Sequence, residues 1–140
     1  MAQIVLTDAF VSLGGTNVSD HVTSVTINFE RDEVEATAMG DSTHGQLLGL
    51  KNWSVELELQ QDFAASSIDS ILWAAVNTPT TVAFEIRPTS GAASATNPKY
   101  TGTGYVPSYS PLSGGVGELA TTQARIIPAK GQPGLTRATS

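Results

Sequence analysis

The chain has 140 residues, no cysteine, and 13 acidic residues against 7 basic ones, for a formal net charge of −6. That length suits one domain with one hydrophobic core. The missing cysteine excludes disulfide staples, thiolate zinc sites, iron–sulfur clusters and cysteine nucleophiles. The acidic balance argues against a surface that neutralises nucleic-acid phosphates.

Charged residues make up only 14% of the chain, below the usual ~25%. Solubility therefore leans on Ser, Thr, Asn, Gln and Gly, which suits a protein whose faces meet other protein faces. Met1-Ala2-Gln3-Ile4 lacks the basic start and apolar run of a signal peptide. No stretch approaches the ~20 apolar residues of a membrane helix. The expectation is a soluble protein made in the cytosol.

Strand signals dominate from the start. Phe10 to Leu13 leads into Gly14-Gly15, and Thr16 to Val18 follows, which predicts a tight hairpin at the diglycine. From Val22 to Glu30 the apolar Val25, Ile27 and Phe29 alternate with polar residues. Period two predicts a half-buried antiparallel strand. Lys51 to Gln61 repeats the pattern, with Trp53, Val55, Leu57 and Leu59 on one face and Ser54, Glu56, Glu58 and Gln60 on the other.

A helix is expected from about Ser67 to Val76. Ser66 is the candidate N-cap, and Asp69 sits where the positive helix end favours a carboxylate. Ile68, Ile71, Leu72, Ala75 and Val76 form a stripe at helical spacing, with Trp73 at its border, and Pro79 stops continuation. So short a helix must lie against the sheet. Val82, Phe84 and Ile86 alternate in a further strand. Tyr100 to Tyr109 and Leu119 to Ile127 supply the last ones, interrupted by Pro107 and Pro111 as edges or bulges are.

Two segments resist this pattern. Residues 31–50 begin with Arg31, Asp32, Glu33 and Glu35, pass through Gly40-Asp41-Ser42-Thr43-His44-Gly45, and end on Leu47, Leu48 and Leu50. Connections beyond ~12–15 residues usually have a job. Pro88 to Lys99 is rich in small polar residues and reads as a flexible hairpin tip. The expected organisation is one β domain over 1–130, with 31–50 as a long extension, and a polar C-terminal tail over 131–140.

Chemistry is hard to find. Ser19-Asp20-His21 has the residue types of a triad, but neighbours on a strand point to opposite faces while a triad must converge. A turn before a strand is the simpler reading. Asp41 with His44 gives two ligands where zinc needs three or four. Glu30, Asp32, Glu33 and Glu35 lack the spacing of a calcium loop and read as a solvated charge run. Glu56 and Glu58 lie roughly 7 Å apart on one strand face. They could be a glycosidase pair, but no aromatic platform accompanies them. Thr101-Gly102-Thr103-Gly104-Tyr105 is not followed by a helix, so it is no phosphate loop. The expectation is no enzyme, no cofactor and no metal.

The order of features resembles the major tail tube proteins of long-tailed bacteriophages. It runs from the Gly14-Gly15 hairpin through Val18-Ser19-Asp20-His21-Val22-Thr23-Ser24-Val25, segment 31–50 and strand 51–61 to helix 67–76. The resemblance covers roughly residues 4–128. It implies a mostly β fold: an antiparallel β-sandwich or barrel with one flanking α-helix and a long inter-strand extension.

It also implies a virion tail protein, synthesised in the host cytoplasm. Such proteins form hexameric rings that stack into a hollow tube for genome ejection. Implied partners are further copies of the chain and other tail proteins: tape measure, tail tip and terminator. DNA would pass through without specific binding, and no membrane is involved. Met39, Leu47, Leu48 and Leu50 would then be inter-subunit contacts, the alternative being a twisted hairpin that packs on its own domain. Glu56 and Glu58 become candidates for the lumen, where carboxylates would repel passing phosphates. Competing readings are a capsid decoration protein, a tail completion or terminator protein, and a ligand-binding β-sandwich module.

Overall fold

The computed structural model describes residues 3–140. Its elements run β1 (Phe10–Leu13), β2 (Thr16–Asn17), a 3-10 turn (Ser19–His21), β3 (Val22–Glu35), β4 (Gln46–Gln60), α1 (Ile68–Asn77), β5 (Val82–Arg87), β6 (Lys99–Tyr105), β7 (Thr121–Pro128) and β8 (Thr136–Ala138). The strands pair in the order β2-β1-β5-β6-β7-β4-β3, all antiparallel, with β8 added on β6.

Two faces of this ribbon lie against each other. Val11 and Leu13 of β1 and Val82, Phe84 and Ile86 of β5 share one buried cluster with Trp53, Val55, Leu57 and Leu59 of β4 and Ala124 and Ile126 of β7. The Trp53 and Phe84 rings meet at 5.5 Å between centroids. The halves are continuous only through β6 and β7, which pair at Gly104↔Pro128 and Tyr105↔Ile127. Beyond that junction Tyr109 bridges Ala124, and Thr122 Oγ1 donates to the Ser110 carbonyl at 2.7 Å. The sheet folds over itself without closing, so the sandwich describes it and the barrel does not.

The sequence periods place the core well. All four odd-numbered residues Trp53–Leu59 are buried while Glu56 and Glu58 are exposed. The diglycine turns as expected, with Gly14 and Gly15 at φ 58° and 86°, the positive pair a two-residue hairpin requires. In α1, Ile68, Leu72 and Ala75 are buried, Ile71 is partly buried, and Trp73 is exposed.

The helix starts one residue later than expected. Ser66 has φ 59°, and Ser67 is the N-cap position. Neither serine caps in the usual way, because Asp62 organises the entry. Its carboxylate accepts from Ser67 Oγ at 2.6 Å and from the Ala64 N–H at 2.9 Å. Asp69 accepts from the Tyr109 hydroxyl at 2.9 Å, and Gln61 Nε2 donates to that hydroxyl at 2.8 Å. Helix, β4 end and the 106–111 segment are thereby tied together.

Two further segments differ from expectation. Pro88 to Lys99 is organised by Asn97, which is buried. Its amide donates to the Gly91 and Ala92 carbonyls and accepts from the Thr89 N–H. Within the polar tail, Thr136–Ala138 forms β8 on β6, and Leu135 packs against the core.

Asp62 carries a pH dependence. Its hydrogen bonds from Ser67 and Ala64, with His21 nearby, hold its carboxyl below the usual carboxylate value. A depressed folded pKa contributes stability that is complete above the unfolded value. That stability is lost as pH falls through the folded value. Acidification below about pH 4 should therefore lower the melting temperature of wild type more than that of Asp62→Ala. Melting curves followed by circular dichroism across that range check this, and parallel losses would refute it.

Candidate assembly interface

The segment 31–50 is not an irregular loop. β3 and β4 continue far past the core as one antiparallel hairpin, paired from Val22↔Leu59 out to Glu35↔Gln46. Six residues of β3 and seven of β4 lie beyond the Phe29↔Trp53 pair, so the paired arm projects roughly 20 Å at strand rise. Its tip is a ten-residue loop, 36–45, closed by its own hydrogen bonds. The Ala36 N–H donates to the Gly45 carbonyl at 2.8 Å, the Ala38 N–H donates to Asp41 at 2.8 Å, and Gly40 has φ 97°.

The arm leaves its own domain uncovered. Leu47, Leu48 and Leu50 are 65%, 66% and 81% exposed, and Met39, Val34 and Phe29 are exposed as well. The alternative of a hairpin packed on its own domain is therefore not what forms. A register shift between Arg31 and Glu33 sets the faces of the arm. One extra residue in one strand changes which side its later residues face. Past the bulge Val34 stands opposite Leu47, and Leu48 stands opposite Glu33. Opposed residues share a face and adjacent ones do not, so the arm presents leucine on both faces. A surface hairpin with one buried side would not need that, whereas an element gripped from both sides would.

The other candidates find structural roles. Ser19 Oγ accepts from the Val11 N–H at 2.8 Å and donates to Asn17 Oδ1 at 2.6 Å, fastening the turn to β1. His21 Nε2 lies 3.4 Å from Asp62 and 3.7 Å from Asp20, while the Ser19 hydroxyl is engaged by Val11 and Asn17. Asp41 is used in the arm's tip, and His44 Nδ1 lies 3.4 Å from Glu35. The hydroxyl of Thr37 donates to Glu35 and, with His44, lowers that carboxyl's pKa. Among the described residues no cluster of three or more His, Asp or Glu could hold a metal, and no helix is long and apolar enough to cross a membrane.

Glu56 and Glu58 are exposed on the outer face of the β3-β4-β7 half. Glu56 stands between Thr26 and Arg125, and Glu58 between Ser24 and Gln123. Gln123 Nε2 donates to Glu58 at 3.3 Å. Arg125 is a residue the sequence did not single out. Strand alternation in β7 places it on this face, but only the register reveals that it opposes Glu56.

No protein-family model matches the chain, and no curated protein matches it. Solved structures do. A chain in the virion of a native gene transfer agent particle is 15% identical, with a TM-score of 0.69 over 92% of this chain and 95% of that one. A chain of the SPP1 tail tube is 13% identical, with a TM-score of 0.70 over 95% and 77%. A chain of an extracellular contractile injection system, in its PVC sheath-tube complex, is 12% identical, with a TM-score of 0.70 over 99% and 93%. This is the fold the sequence resemblance implied, and over nearly its whole length the chain has the fold found in these tail-tube and sheath–tube assemblies.

Proposed function

We propose that this chain is a structural, non-enzymatic subunit of a virion-type tail tube, which works by joining copies of itself into stacked rings. The observation that carries this reading is the extended β3-β4 arm, with exposed leucines on both faces and no surface of its own domain to cover them. Exposed apolar patches of this kind mark contacts with other protein. The unclosed sheet also ends in β2 and β3, two edges with free backbone groups that pairing with a neighbour would satisfy. The other proposed partners are the tape measure, tail tip and terminator proteins of the same particle.

Electron microscopy of the purified protein in negative stain, across a concentration series, tests the reading. Rings or tubes are expected. Uniform monomers up to the highest soluble concentration would overturn it.

The face bearing Glu56 and Glu58 is the proposed lumen lining. It is polar, it lies opposite the buried side of β4, and the chain's excess acidity suits a channel that DNA passes without sticking. Arg125 offsets part of that charge beside Glu56, which leaves Glu58 as the stronger repulsive group. Glu56→Lys combined with Glu58→Lys should leave tubes intact and reduce genome delivery, measured as infectivity per particle. Unchanged infectivity would refute the lumen assignment.

A further inference from the structure

An apolar groove of about 530 Å³ opens where the sheet fails to close. Val25, Ile27 and Phe29 of β3 form one wall; Ile86, Tyr100 and Leu135 form the other. It exists because β3 carries its inward face past the end of the facing half, so Val25 and Ile27 are only half-buried and Phe29 is exposed. Two arginines also line it. Arg137 is exposed, and Arg87 lies with its guanidinium 4.0 Å over the Phe10 ring. The Nε of Arg87 is buried with no hydrogen-bond partner, and the nearest carboxylate, Glu85, is 3.7 Å away. The groove therefore suits an apolar strand that also carries carboxylates.

One segment of this chain has that chemistry. The N-terminal segment of the same chain already lines the groove through Leu6 and Ala9, and its carboxylate, Asp8, accepts from the Ser90 hydroxyl at 2.5 Å, so it is part of the wall and not a free occupant. On the arm, Val34, Leu47 and Leu48 are interleaved with Asp32, Glu33 and Glu35. The arm cannot fill its own groove. It begins at Phe29, in the groove's own wall, and runs straight away from it as a paired hairpin.

We propose that the groove receives the β3-β4 arm of a second copy of the chain, with Glu33 or Glu35 facing Arg87 and Arg137. This rests on the self-assembly reading and adds the receptor for the arm. The contact is head-to-tail: arm and groove are different patches, so repetition gives rings or open filaments and not a closed dimer.

The absence of cysteine makes the test clean. Leu48→Cys protein is mixed with Thr136→Cys protein, assembled, and treated with a short bis-maleimide. In parallel it is mixed with Ser70→Cys, on the exposed side of α1. The expected result is a cross-linked dimer for the first pair and little for the second. Adding Arg137→Glu to the groove partner should reduce the yield severalfold, and Glu33→Arg in the arm should restore it. Tubes that form while Leu48→Cys cross-links equally to Ser70→Cys, or not to Thr136→Cys, would overturn the groove and leave the tube reading standing. No assembly and no cross-link in any pair would overturn both.

Discussion

Gly104→Ala is expected to cost about 3 kcal/mol or more, a large fraction of the stability of a domain this size. A Cβ at Gly104 would lie 2.1 Å from the Ile127 carbonyl oxygen and 3.0 Å from Ile126 Cγ2. The first of these is backbone, so no side-chain rotation relieves it. Gly104 also belongs to the short ladder that makes β6 and β7 continuous, paired with Pro128 on one side and Val82 on the other. Pushing the strands apart there separates the two halves of the sandwich at their seam. Gly102→Ala gives the contrast. Its Cβ would meet Phe84 Cζ at 2.9 Å, a side-chain ring that can shift at the expense of its packing on Trp53. A loss of about 1–2 kcal/mol is expected. Urea denaturation of the two variants against wild type measures both. Equal losses, or a Gly104→Ala protein as stable as wild type, would refute the account of the seam.

That seam was not legible in the sequence. Gly102 and Gly104 stood out only as a failed phosphate-loop motif, because nothing in a linear pattern says which backbone will approach a glycine. What could be read was whatever repeats with a fixed period. Trp53, Val55, Leu57 and Leu59 alternate, and all four are buried. Ile68, Leu72 and Ala75 recur at helical spacing and are buried too. The failures share a cause, which is that a long-range partner decided the local form. Thr136–Ala138 is too short and polar to predict a strand alone, and it becomes one because β6 offers an edge. Ser67 gives its hydroxyl to Asp62 five residues back, which moves the helix start. Arg31 to Leu50 looked irregular because the bulge breaks the alternation and places leucine on both faces.

Leu47→Ser combined with Leu48→Ser is expected to abolish assembly while leaving a folded monomer. Both halves of that expectation follow from the same geometry. The two side chains are mostly exposed in the single chain, and neither belongs to the core cluster. Polar replacement there removes little intramolecular burial, so the melting temperature of the monomer should change by less than about 2 °C. In an assembly each leucine would be covered by a neighbour. Burial of one such side chain is worth roughly 1.5–3 kcal/mol, and a subunit that donates one arm and receives another loses that contribution at two contacts. A tube repeats the loss along its length, so a modest local change becomes a complete one. Sedimentation velocity with electron microscopy of the variant checks the assembly, and circular dichroism checks the fold. Tubes formed by the double variant at wild-type concentrations would show that the arm's leucines are not the contact. A variant that unfolds would show that they support their own domain, which their exposure argues against.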